Sequence, residues 1–138
     1  MAGTGPQLAG LIYRIPIQFE REIFAMRFLS IYKTVERGVP PSQEEMERMG
    51  KLIEEGMKAG YLLGVEGCLP SMKGARVRLS NGTVTVTDGP FTESKELVGG
   101  FAILKADSKE HAVQLVKDFL NVAGDGECEL RQLYEPPA

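Results

Sequence analysis

Tryptophan is absent from this 138-residue chain, and histidine occurs once, at His111. A lone histidine leaves no His-Glu-x-x-His zinc site and no histidine cluster for a transition metal. The two cysteines, Cys68 and Cys128, lie far apart and match no metal-ligand or redox spacing. Reduced thiols of this kind are expected of a cytoplasmic protein. There is no Gly-x-Ser-x-Gly elbow and no glycine-rich phosphate loop, so no cofactor is expected. No apolar run approaches the ~20 residues that span a bilayer. Arg14 interrupts the first apolar stretch and the opening residues carry no basic n-region, so neither a membrane span nor a leader peptide is expected. A net charge of −3 and a pI of about 5.3 offer no positive field for nucleic acid.

What is present is the material of one ordinary domain: 43% hydrophobic and 25% charged residues, close to globular averages. Residues 27–34 alternate, with Phe28, Ser30 and Tyr32 on one face and Leu29 and Ile31 on the other, which predicts a strand with apolar neighbours on both sides. Ser42 and Glu45 form a capping box, and Met46, Met49, Ile53 and Met57 recur at helical spacing up to a stop at Gly60. The methionine stripe reads as core filling. Residues 61–66 predict a short strand. Two alternating runs, 75–79 and 83–87, flank Asn81-Gly82 and predict a hairpin closed by a type I′ turn. A strand is expected over 100–105, and a second helix follows, capped by Asp107 with Glu110 completing the box. Its buried stripe is Ala112, Val113, Val116, Phe119 and Leu120. A last strand is expected over 127–134.

Without the hairpin, the order is strand, helix, strand, strand, helix, strand. Two helices that each bury one face on one sheet predict an α+β, ferredoxin-like two-layer sandwich with an inserted β-hairpin. The other sheet face has no helix to cover it, so a homodimer is expected.

The segment Thr87-Asp88-Gly89-Pro90-Phe91-Thr92-Glu93-Ser94-Lys95-Glu96-Leu97-Val98-Gly99-Gly100-Phe101 resembles the signature of the DGPF proteins, a branch of the YCII-related family. The stretches 64–71 and 73–78 extend the resemblance, which covers residues 26–135. Residues 1–25 then stand outside the family pattern, with Met26-Arg27-Phe28 as the family-like start, and 136–138 form a tail. Leu11 to Ile17 could add an edge strand. The resemblance implies sheet-to-sheet pairing into a dimeric α/β-barrel. It also implies one of two roles. One is a cofactor-free enzyme performing proton transfer, isomerisation or elimination on a small anionic compound. The other is a regulatory or ligand-sensing partner associated with an alternative sigma factor. Some YCII relatives carry a histidine near the first helix as half of a catalytic His/Asp pair; here that region holds Ser42, Gln43 and glutamates.

The candidate site follows from the residue types. Asp88 could act as general acid or base, or accept the amide two residues on and hold an Asx turn. Glu66, at a strand end, could supply a second carboxylate. Arg76 and Lys95 could hold an anion, or belong to a solvated rim. Glu93 and Lys95 would share one side if that segment is extended. Phe91 would wall a pocket, and Gly100, beside Gly99, would let a ligand or another backbone approach closely.

Overall fold

A computed structural model describes residues 25–136. The extension expected over 1–25, including its possible edge strand, lies outside the described residues apart from Ala25, as do the last two residues of the tail.

Strand β1 (Met26–Thr34) is followed by helix α1 (Gln43–Ala59), β2 (Leu62–Gly67) and a single 3₁₀ turn at Ser71–Lys73. The hairpin β3 (Ala75–Ser80) and β4 (Thr83–Asp88) comes next, then β5 (Leu97–Ala106), α2 (Lys109–Ala123) and β6 (Glu127–Gln132). The local signals act as the side-chain chemistry demands. Ser42 Oγ accepts from the Glu45 amide at 3.1 Å, and Gly60 stops α1 with φ 83°. Asn81 and Gly82 adopt positive φ, 49° and 78°, and close the hairpin in the register Ser80 opposite Thr83.

Three expectations are corrected. The cap of α2 is Ser108, whose Oγ accepts from the His111 amide at 3.1 Å. His111 Nδ1 in turn accepts from the Asp107 amide at 3.1 Å, so histidine fills the reciprocal position expected of Glu110. β5 begins at Leu97, three residues early, because Gly99 is accommodated as an extra residue between the pairs Tyr32–Gly100 and Lys33–Val98. The methionine stripe is not core: Met46 and Met57 are 55% and 52% exposed, and the one buried residue of α1 is Gly56, where the Tyr61 ring packs.

The four-stranded sheet has the order β2-β5-β1-β6, antiparallel throughout, and the hairpin forms a separate two-stranded sheet. β1 and β2 flank β5 with α1 as their connection, a split βαβ arrangement compatible with a ferredoxin-like α+β sandwich. Phe28, Leu104, Ala106, Ala112 and Val116 make the buried core. It sits at one end of the interlayer, where the start of β1 and the end of β5 meet the first turns of α2. Val113, expected in that stripe, is 39% exposed. Among the described residues no helix is long and apolar enough to cross a membrane.

Candidate functional site

Along the sheet floor the positions facing the helices turn small beyond Phe28 and Leu104, at Ser30, Ala102 and Gly100, with Tyr32 the one large side chain. The pairs run Phe28 with Leu104, Ser30 with Ala102, and Tyr32 with Gly100, and β2 adds Gly67 opposite Gly100. Small residues on the floor under a helix that buries little leave a void. A cavity of about 320 Å³ lies there between the two layers. Met46, Met49 and Ile53 roof it from α1, Leu115 and Phe119 wall it from α2, and Ser30, Ala102 and Gly100 form its floor. Pro41 and Glu45 stand at the α1 end.

Its polar groups are few and mostly engaged. The Tyr32 hydroxyl donates to the carbonyl of Asp125 at 2.9 Å, and its ring meets Phe119 edge-on at 5.3 Å. Thr34 Oγ1 donates to the same carbonyl at 3.0 Å, tying the loop after α2 to β1. Arg37 Nη2 donates to the Glu45 carboxylate at 2.8 Å, and this contact holds that carboxyl below the usual carboxylate range. Burial raises the Tyr61 hydroxyl above its ordinary pKa. Burial likewise raises the Cys128 thiol, opposed by its contact with Ser30. No lysine or arginine lines the cavity among the described residues.

Of the residues expected to form a site, Glu66 and Gly100 border this cavity and Asp88, Arg76, Phe91 and Lys95 do not. Gly100 is a cavity residue, but a Cβ on it would lie 2.7 Å from the Glu66 carbonyl oxygen, so the close approach it permits is that of strand β2. Glu66 pairs with Phe101, which turns its exposed side chain to the sheet face away from the helices. Glu66 and Phe101 both border the cavity.

Asp88 lies outside the cavity, exposed, at the end of β4 opposite Ala75. An Asx turn there is unavailable, since the residue two positions on is Pro90, which has no N–H. The main chain and Ser71 hold the segment instead. Gly89 N donates to the Gly74 carbonyl at 2.9 Å, and Phe91 N donates to Ser71 Oγ at 3.2 Å. Glu36 completes this lock, accepting from Ser71 N at 2.6 Å and from Ser71 Oγ at 3.0 Å. Nothing in the sequence pointed to Glu36, because a loop acid with a partner 35 positions away carries no local signal.

Arg76 and Phe91 are brought together: the guanidinium lies 3.9 Å from the ring centroid. Arg76 also pairs with Glu93 and donates to Ser94 Oγ at 3.0 Å. The Glu93 carboxyl is held below the ordinary range by its own backbone amide and by Arg76. Residues 92–96 form a turn and a bend, so Glu93 and Lys95 do not share one side of an extended segment. Lys95 stays exposed. Among the described residues no cluster of histidine, cysteine and acidic side chains could hold a metal ion.

An antiparallel α+β sheet with the split βαβ order, a hairpin inserted before β5 and the Asp88-Gly89-Pro90-Phe91 turn behind it defines the class. Residues 26–135 match the YCII-related domain, and the chain belongs to that family. It is also similar to an uncharacterised protein of Rhizobium meliloti, 33% identical over 102 residues that cover 69% of this chain and 82% of that protein.

Proposed function

We propose that this YCII-related protein is a ligand-sensing module that takes a small, mostly apolar and uncharged molecule into the interlayer cavity. The observation that carries this reading is the cavity itself: about 320 Å³, within the ~300–1,000 Å³ range of small-molecule sites, with a mainly apolar lining. The anionic substrate implied by the resemblance would lack a cation there. Arg76 is engaged by Glu93 and Phe91, and Lys95 stands on an exposed bend. In this reading Asp88 serves no proton transfer, and the output is a partner interaction, such as the sigma-factor association implied for DGPF proteins.

The working unit in this proposal is a cytoplasmic homodimer paired sheet to sheet as an α/β-barrel. Support comes from the sheet face opposite the helices. Leu29, Ile31, Phe101 and Ile103 lie side by side in register there, and Lys33, Glu129 and Arg131 form a charged border over β6. An apolar centre with a charged rim is the anatomy of an interface.

A thermal-shift screen tests the ligand. Neutral apolar compounds of ten or so heavy atoms are expected to raise Tm, since a ligand at a hundred times Kd adds about 2.7 kcal/mol. Ala102→Leu, which fills the floor, is expected to abolish the shift. Stabilisation by carboxylates or phosphates that survives Ala102→Leu would return the site to Arg76 and Asp88.

A further inference from the structure

The inserted hairpin has two unlike faces. Val77 pairs with Val86 and Leu79 with Val84, so four aliphatic side chains share one face, while Arg76, Arg78, Thr85 and Thr87 occupy the other. The aliphatic face is bare: Val77, Leu79, Val84 and Val86 are 69%, 70%, 61% and 63% exposed. A two-stranded ribbon is marginal by itself in water, and among the described residues this one forms no sheet with any other strand. Its base, by contrast, is fixed through Glu36, Ser71 and the Phe91 amide. The ribbon is therefore held out in a set direction with an apolar side uncovered.

We propose that the hairpin is a dimerisation arm whose aliphatic face packs on a second copy of this chain. The proposal rests on the homodimer reading above and adds a surface to it. Area chooses the occupant. Four largely exposed aliphatic side chains offer a few hundred Å², the size of the largest apolar patch on a typical monomer and often a functional one, but short of the ~800 Å² per partner of a stable interface. The apolar sheet face, with Val98 and Phe101 still 46% and 39% exposed, is a second uncovered surface on the same protomer. A two-fold axis presents each surface twice, and in the proposed dimer arm and sheet face share one closed interface, where each adds to the area of the other. A foreign partner would have to match both surfaces separately.

The test is sedimentation equilibrium on the full chain, comparing wild type with Leu79→Arg/Val84→Arg and with the milder Leu79→Thr/Val84→Thr. Both pairs sit on a ribbon outside the core, and far-UV circular dichroism at matched concentration checks that the sandwich is intact. The arginine pair is expected to raise the dimer Kd by about a hundredfold or more, because two unpaired charges enter an apolar contact, and the threonine pair to raise it by about tenfold. Amide exchange at Val77, Leu79, Val84 and Val86 in wild type is expected to slow as protein concentration rises through Kd. A wild-type dimer whose Kd is unchanged in both variants would overturn the arm and leave the homodimer standing. A wild type that stays monomeric at tens of micromolar would overturn both. If the arginine pair loses the sandwich signal, the threonine pair and the concentration-dependent exchange decide: exchange independent of concentration overturns the arm.

Discussion

The two ends of the interlayer are built from the same strands and differ in what those strands carry. At one end Phe28, 2% exposed, meets Leu104, Ala112 and Val116 in a filled core. At the other, the same two strands supply Ser30, Ala102 and Gly100, and α1 stands off with only Gly56 buried. One end spends its side chains on cohesion, and the other leaves room. A sandwich this small holds a cavity because the filled end, anchored by α2, carries the stability that the hollow end gives up.

The sharpest way to break this contrast is Phe28→Ala. At a fully buried aromatic it is expected to cost about 3–5 kcal/mol, read by urea unfolding, and a cost below about 1 kcal/mol would mean that the filled end does not hold the fold. Gly100→Ala comes next. Its methyl would press on the Glu66 carbonyl at 2.7 Å, and either β2 or β5 must shift. A loss of about 1–3 kcal/mol is expected, with weakened amide protection along β2 as its local mark. Ala102→Leu places a larger side chain in the void, and equilibrium unfolding should show a change below about 1.5 kcal/mol in either direction. The same enlargement at a packed position would cost more, so a large loss would indicate that the cavity is not open in solution.

Smaller effects are expected at the exposed signature. Asp88→Asn and Asp88→Ala should both unfold within about 0.5 kcal/mol of wild type, as surface changes do. If a substrate is found for which Asp88→Asn lowers the rate by two orders of magnitude or more, Asp88 is an acid or base after all. The smallest effect concerns acid. Glu45 and Glu129 are held below the ordinary carboxylate range by Arg37 and by Lys33 with Arg131, respectively. A depressed folded-state pKa gives stability that is present above the unfolded value, about 4.3, and is lost as pH falls through the folded one. Melting temperature is therefore expected to decline below about pH 4, slightly less steeply in Glu45→Gln and Glu129→Gln. Both groups are solvent-exposed, so the change should be modest.

Much of the fold was legible because it rests on local chemistry. Ser42 and Gly60 bound α1, Asn81-Gly82 closes the hairpin, and the alternation in β1 separates its two faces. The candidate site was far less legible. The cavity is made by small residues that meet only through the register of β1, β2 and β5, and no spacing along the chain encodes that pairing. The methionine stripe misled for a related reason: periodicity marks the inward side of a helix, not how closely the helix approaches its sheet. Asp88 drew attention by standing in a recognisable turn, and its neighbours Gly89 and Pro90 show that the turn is held by other means.

Gly89 gives that turn its meaning. A Cβ there would lie 1.7 Å from the Ser71 carbonyl oxygen, inside the covalent envelope of the neighbouring chain. Two stretches of backbone cross at this point with nothing between them. In any chain folded this way, every residue but glycine is barred from the crossing, whatever the protein binds. The letters that make the segment recognisable can thus persist as the imprint of a crossing between two stretches of main chain, and searching by them gathers proteins by shared geometry rather than by shared chemistry.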